Sequence, residues 1–190
     1  HNAQLSFDAH YAAETARQEM VKRYGEAAYT NGYRVYTTIS SDLQRIATQS
    51  VIDGLISYDK RHGYRGPERQ LPPTASNGDT LALWREALAK TGIVADLQPA
   101  IVTSVAQHKA TLLLTDGSTP ALLWENGIRE ARPYLSEDSR GPAPQSALTV
   151  LAVGDLIRVT LEEGGSWHLA QVPAAQGALV SMNPDNGAIV

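Results

Sequence analysis

The segment Gly154–Pro173 constrains the fold most, because apolar and polar residues alternate on both sides of a Gly-Gly pair at 164–165. Such alternation has the period of a strand with one buried face. The glycine pair suits a turn between two strands, since glycine adopts positive φ without steric cost. We expect a β-hairpin here, with a small sheet closing around it. The residues expected to face the core are Ile157, Val159 and Leu161, and those expected to face away are Arg158, Thr160 and Glu162.

Composition narrows the class of protein. The 190 residues are 43% hydrophobic and 19% charged, which allows a packed core in one domain or two small ones. The formal net charge is −4, whereas nucleic-acid-binding domains usually carry a basic surplus. The absence of cysteine excludes disulfides and cysteine-ligated metal sites. No apolar run reaches the ~20 residues of a membrane-spanning helix, and no signal peptide is visible.

Helical periodicity dominates the N-terminal part of the chain. Apolar residues at helical spacing predict helices over Asp8–Tyr24 and from Ser41 to about Tyr58. Between them, Gly32–Ile39 is rich in aromatic and β-branched residues and predicts a strand. Asp79 predicts the start of a short helix that ends at Lys90.

Strand patterns dominate from Leu97 onward. Roughly five short strands separated by turn residues are expected between Leu97 and Pro173, and a partly open five-stranded barrel of the OB type removes most exposed edges. The predicted fold class is therefore α+β, with helices on the N-terminal side of the barrel. Asn186-Gly187 predicts a last hairpin, whose second strand has barely begun at Val190. We expect the chain to be a piece of a longer polypeptide.

Three short strings have the composition of a serine acyl-transferase site, but their placement is wrong. Ser57 and Lys60 form an S-x-x-K string at the end of a predicted helix, where a nucleophile should open one. The K-T-G string at 90–92 precedes the S-x-N string at 181–183, which reverses the expected order. We interpret all three as chance matches. The five histidines have no metal-like spacing either, so no catalytic residue, cofactor or metal ligand is predicted.

A basic loop with interleaved tyrosines lies between Asp59 and Glu68. Its arginines and tyrosines are suited to an anionic partner. The alternative is a solvated loop whose charge Asp59 and Glu68 compensate. The candidate partner-binding residues are Arg61, Tyr64, Arg65 and Trp124.

Several stretches, taken in order, resemble class A penicillin-binding proteins of the 1A type. The resemblance covers nearly the whole chain. The stretches that carry it are Tyr33–Ile39, Gly54–Pro67, Val153–Val159, Trp167–Pro173 and Ala178–Ile189.

The resemblance implies a place between two catalytic domains. Family members join a glycosyltransferase domain, which polymerises glycan, to a transpeptidase domain, which β-lactams acylate. Residues 1–70 would be the linker and first transpeptidase elements, residues 71–175 the inserted OB-like domain, and residues 176–190 the start of the transpeptidase sheet. The family's catalytic residues would then lie outside this chain, and Ser57 would remain a coincidence.

The expected function is therefore regulatory and scaffolding rather than catalytic. The resemblance implies a periplasmic region of a peptidoglycan synthase anchored in the inner membrane. Expected partners are the parent's other domains, an outer-membrane lipoprotein activator and peptidoglycan, with no membrane contact by this region. The alternative is an OB module for single-stranded nucleic acid, which needs a basic groove lined by stacking aromatic residues.

Overall fold

The structure is a computed structural model that describes residues 10–73 and 79–190. It divides into two compact units. The first contains the described residues up to Gly54 together with Gln176–Val190, and the second is Leu55–Ala175. Helices and antiparallel strands occur in separate stretches, so the predicted α+β class is confirmed. Within the described ranges, no helix combines the length and apolar character needed to cross a membrane.

The first unit is mostly helical and little buried. It contains α1 (His10–Tyr24), α2 (Ala27–Thr30) and the start of α3 (Ser41–His62). Neither α1 nor α2 contains a buried residue. Gly25 ends the first helix with φ of 60°, as expected of a helix stop. Asp8, the predicted start of this helix, lies outside the described residues.

The strand predicted over Gly32–Ile39 is wrong, because these residues join no ladder. Thr38 instead donates its hydroxyl hydrogen to the carbonyl oxygen of Ile189. Aromatic and β-branched residues suit a pleated surface, but a strand also needs a neighbour for its amides. The predicted C-terminal hairpin does form, with an antiparallel bridge between Met182 and Ile189.

The second unit is built on one antiparallel sheet that β7 organises. Its strands run in the order β1-β7-β2-β3-β4, and β8 also pairs with β7. The predicted Gly-Gly hairpin is confirmed, since β7 and β8 pair in antiparallel register with Thr160 opposite His168. The elements are β1 (Arg69–Gln70), α4 (Thr80–Lys90), β2 (Gln98–Ala106), β3 (Lys109–Leu114), β4 (Ala121–Leu123), β5 (Tyr134–Ser136), β6 (Ser139–Arg140), β7 (Asp155–Leu161) and β8 (Trp167–Ala170). Strands β5 and β6 form a separate hairpin.

Both faces of β7 are buried, which corrects the prediction of one solvent-facing side. Ile157 and Val159 belong to the larger core cluster, as expected. Leu156 points the other way and joins a second cluster formed with Trp84 and Leu88 of α4. Because α4 covers this second face, Arg158 is only 5% exposed. Leu161 lies beyond the covered region and is exposed.

The ladder of hydrogen-bonded strands is open between β4 and β8. A five-residue turn, Trp124–Ile128, follows β4 at this gap. Asn126 Nδ2 donates a hydrogen bond to the Trp167 carbonyl oxygen at 3.1 Å, and Ile128 is fully buried. Between Leu97 and Pro173 this sheet has five strands, as expected, and β1 adds a sixth. A turn bridges the gap instead of a ladder that would close a barrel.

Candidate functional site

Much of the predicted basic loop is the last turn of α3, which continues through His62. After this turn the chain bends back, so that Arg65 reaches the buried carboxylate of Asp59. Arg65 Nη1 and Nη2 donate to the two carboxylate oxygens at 2.7 and 3.0 Å. Such a two-pronged pair fixes the arginine in orientation as well as in position.

The Asp59–Arg65 ion pair also forms hydrogen bonds with the C-terminal end of the second unit. Arg65 Nη2 donates to the Val172 carbonyl oxygen at 2.8 Å, and the Ala174 amide donates to Asp59 Oδ1 at 3.3 Å. We call these four residues, Asp59, Arg65, Val172 and Ala174, the clasp. Gln171 adds two bonds, since its Oε1 accepts from the Arg65 amide at 2.9 Å and its Nε2 donates to the Gly63 carbonyl at 2.7 Å.

The second acid of the basic loop, Glu68, is turned toward the interior. Its carboxylate accepts hydrogen bonds from Arg158 Nε at 2.8 Å and from Nη2 at 3.1 Å. Arg158 also donates to the carbonyl oxygen of Gly92 at 2.6 Å. A buried guanidinium needs such partners, because an unpaired charge in the interior is strongly unfavourable.

These ion pairs show which positive charges Asp59 and Glu68 neutralise. Asp59 neutralises Arg65, and Glu68 neutralises Arg158, which lies outside the loop. Within the described residues, no carboxylate lies at ion-pair distance from Lys60 or Arg61. The end of α3 therefore remains a cationic spot on a chain whose net charge is −4.

Arg61 lies over an aromatic side chain on this spot. Its guanidinium carbon is 5.9 Å from the centroid of the Tyr58 ring, and Nη1 approaches Ser57 Oγ at 3.4 Å. The ring of His62 lies 4.1 Å from the same tyrosine ring. We call Tyr58, Arg61 and His62 the Tyr58 face. Their spacing places all three on one side of the helix.

Tyr64 is a core residue at the edge of a groove. Its side chain packs against the larger hydrophobic cluster, and its hydroxyl is buried without a hydrogen-bond partner in the structure. Burial raises the pKa of Tyr64, and the negative charges of Asp155 and Glu68 raise it further. The phenol is therefore neutral at physiological pH, and only part of the side chain remains for a partner.

The groove beside Tyr64 has a volume of about 620 Å³. Its walls come from the loop after α3, from β5 and from a proline-rich segment. Among the residues that line it are Tyr64, Arg65, Tyr134, Pro142 and Pro144.

Trp124 lies apart from the other three predicted residues. It begins the turn after β4, packs against the larger core cluster, and meets the His108 ring edge-on at 5.9 Å. Arg61, Tyr64 and Arg65 share the end of α3 and the loop that follows it. The structure thus brings three of the four candidates together and assigns Trp124 mainly to packing.

The β7–β8 hairpin holds a row of polar side chains that the sequence analysis missed. Ser166 Oγ lies 3.3 Å from His168 Nε2, and His168 Nδ1 lies 3.4 Å from Glu162 Oε1. An activated serine is usually about 2.6–3.2 Å from its base, so these longer distances favour a role in holding the hairpin. The only signal in the sequence was the spacing of two residues between Ser166 and His168. Among the residues that the structure describes, no three acidic or histidine side chains form a metal site.

A known family matches part of this chain, and individual relatives match nearly all of it. Residues 64–175 match the family described as the penicillin-binding protein OB-like domain. Penicillin-binding protein 1A of Pseudomonas aeruginosa is 48% identical over 96% of this chain and 21% of its own length. Penicillin-binding protein 1A of Escherichia coli is 44% identical over 100% of this chain and 22% of its own length. The chain thus spans about a fifth of the length of these relatives.

A solved structure has a fold similar to that of this chain. The crystal structure of penicillin-binding protein 1A from Haemophilus influenzae matches with a TM-score of 0.72 and 36% identity. The match covers 98% of this chain and 26% of the solved chain.

Proposed function

The chain belongs to the penicillin-binding protein OB-like domain family, and from this premise we propose that it is the non-catalytic regulatory and scaffolding region of a bifunctional peptidoglycan synthase. The parent would carry a glycosyltransferase domain and a serine-type transpeptidase domain, the target of β-lactams. Residues 1–70 would be the linker and first transpeptidase elements, residues 71–175 the OB-like insertion, and residues 176–190 the start of the transpeptidase sheet. The relatives, about five times longer than this chain, support a place within a larger protein.

This region would dock an outer-membrane lipoprotein activator in the periplasm, and the parent would be anchored in the inner membrane. The cationic end of α3 beside an open groove is the observation that carries this proposal. Contact there would favour one state of the parent if the activator bound that state more tightly. The other partners proposed are the remaining domains of the parent and peptidoglycan.

The test is a capture experiment with the whole 190-residue chain immobilised. Cell-envelope extract would be passed over it, and bound proteins identified by mass spectrometry. We expect an outer-membrane lipoprotein to be enriched over a matrix that carries an unrelated acidic protein of similar size. The purified lipoprotein should then bind the chain directly in a biosensor measurement. A purified lipoprotein that fails to bind, or an extract without any enriched lipoprotein, would contradict docking.

The nucleic-acid alternative has less support. Strands β2 and β3 contain no aromatic residue on which a base could stack. The net charge of −4 also repels phosphates at long range. Fluorescence anisotropy with a labelled oligothymidine at low salt should show no saturable binding, and saturable binding would revive this reading.

A further inference from the structure

The end of α3 carries positive charge that the described residues do not neutralise. Arg65 is paired within the clasp, whereas the part of the chain that the structure describes places no carboxylate at ion-pair distance from Lys60 or Arg61. The negative end of the helix dipole accounts for the presence of cations in a last turn. It does not account for the aromatic stacking of Arg61.

The Tyr58 face holds this charge in a defined place. Tyr58 is 40% exposed, and Arg61, whose guanidinium lies over its ring, is also an exposed residue. The Ser57 hydroxyl and the Tyr58 ring restrict the arginine side chain before any partner arrives. Restriction lowers the entropy lost on binding, and a planar guanidinium matches a carboxylate with two parallel hydrogen bonds.

A groove of about 620 Å³ opens beside Arg65, which follows Arg61 by four residues in the chain. Tyr134 lines this groove together with Arg65. Pro142 and Pro144 form another part of the groove wall. A segment that brings an acidic side chain to Arg61 would extend toward this groove past Arg65.

We propose that the Tyr58 face and this groove bind an acidic segment of a protein partner, with Arg61 as the main carboxylate contact. Charge complementarity supports this proposal, since an uncompensated cation held in one place attracts an anionic group at short range although the net charge of the chain is negative. This inference rests on the docking function proposed above and adds the chemistry of the contact.

The experiment uses the whole chain and a defined probe, an acetylated hexaglutamate peptide. The matched neutral probe is hexaglutamine. Titration is followed by NMR through the side-chain signals of Arg61, Tyr58 and His62 at low and physiological ionic strength. We expect saturable shifts in these signals with hexaglutamate only, and weaker binding as salt screens the charges.

Two variants with the same change of charge complete the design. Arg61→Glu should weaken hexaglutamate binding by about tenfold or more, because charged hydrogen bonds are lost. Arg85→Glu changes an exposed arginine of α4, the helix that packs in the other core cluster. Because Arg85 is not part of the Tyr58 face, this variant should change hexaglutamate binding less than twofold. Equal effects of the two variants, or shifts spread over the chain, would overturn the inference.

The outcome separates this inference from the docking proposal. If the purified lipoprotein binds Arg61→Glu as well as the parent chain, docking stands and the acidic contact at Arg61 is wrong. If hexaglutamate binds the Tyr58 face but no lipoprotein binds the chain, the acid-selective site stands and the docking proposal fails. Loss of lipoprotein binding in Arg61→Glu, but not in Arg85→Glu, supports both.

Discussion

At the scale of single residues, Asp155 shows how one buried carboxylate is accommodated. The residue is 3% exposed, and its Oδ2 accepts a hydrogen bond from the Ala152 amide at 2.7 Å. Burial raises the pKa of Asp155, although this hydrogen bond opposes the rise. The hydrogen bond thus stabilises the fold while the negative charge itself opposes burial.

Two substitutions at Asp155 separate the hydrogen bond from the charge. Asp155→Asn keeps an acceptor oxygen without the charge. We therefore expect its free energy of unfolding at neutral pH to equal or exceed that of the unmutated chain. Asp155→Ala leaves the Ala152 amide without its partner and should lose about 1–3 kcal/mol. Urea denaturation at neutral pH measures both. A loss in Asp155→Asn as large as that in Asp155→Ala would show that the charge is needed.

Comparing the unmutated chain with Asp155→Asn also predicts a pH dependence of stability. A carboxyl whose pKa is raised by folding adds stability below its unfolded-state pKa, and that stability is lost as pH rises through the folded-state pKa. The free energy of unfolding of the unmutated chain should therefore decrease relative to that of Asp155→Asn as pH rises from the ordinary range of aspartate pKa values through the raised pKa of Asp155. Denaturation at a series of pH values tests the sign, and the opposite slope would contradict it.

At the scale of elements, Gly154 links the start of β7 to β2 and to the residue that follows β1. Its amide donates to the Val102 carbonyl, and its carbonyl accepts from the Leu71 amide, both at 2.8 Å. Its φ is 92°, and a Cβ placed on it would lie 2.2 Å from the Leu71 carbonyl oxygen. Any side chain here would separate the end of β1 from the start of β7.

Gly154→Ala should therefore destabilise the second unit by more than the roughly 1–2 kcal/mol of positive φ alone. Gly164→Ala is the matched control, because Gly164 has φ of 101° and no atom within 4 Å of the added Cβ. Thermal and urea unfolding of the two variants give the comparison. Equal losses would mean that the close approach at Gly154 is relieved without cost.

Elements with a local period were predictable, and those that depend on a distant neighbour were not. The β7–β8 hairpin and α4 follow from residue spacing and turn residues within their own segments. The burial of Arg158 depends on α4 and on Glu68, 90 residues away, so alternation alone assigned it to solvent. At the candidate site, composition suggested Arg61, Tyr64 and Arg65 as candidates, but only tertiary structure shows which cation Asp59 neutralises.

At the scale of the whole molecule, the two units differ in how much apolar surface they bury. The second unit contains two clusters of buried side chains, one on each face of its sheet. In the first unit, Tyr11 is 93% exposed and Tyr36 is 88% exposed. Helices without a packed face have little stability of their own in water.

Hydrogen–deuterium exchange should therefore separate the two units in the isolated chain. Amides of α1 should exchange much faster than those of α4, although α1 has 15 residues and α4 has 11. Strands β2, β3 and β7 should be the slowest. Mass spectrometry of peptic fragments measures this, and equal protection of the two helices would contradict the assignment of stability to the second unit.

The clasp has a mechanical consequence. Asp59 lies just after the point where the chain enters the second unit, and Ala174 lies just before it leaves, yet the two are hydrogen-bonded at 3.3 Å. A pulling force applied through the flanking polypeptide would enter and leave the unit at nearly one point. The load would fall on the Asp59–Arg65 pair and its bonds to Val172 and Ala174, while the sheet behind them carried little tension. A force transmitted along the polypeptide on either side of the second unit would thus bypass the sheet of that unit.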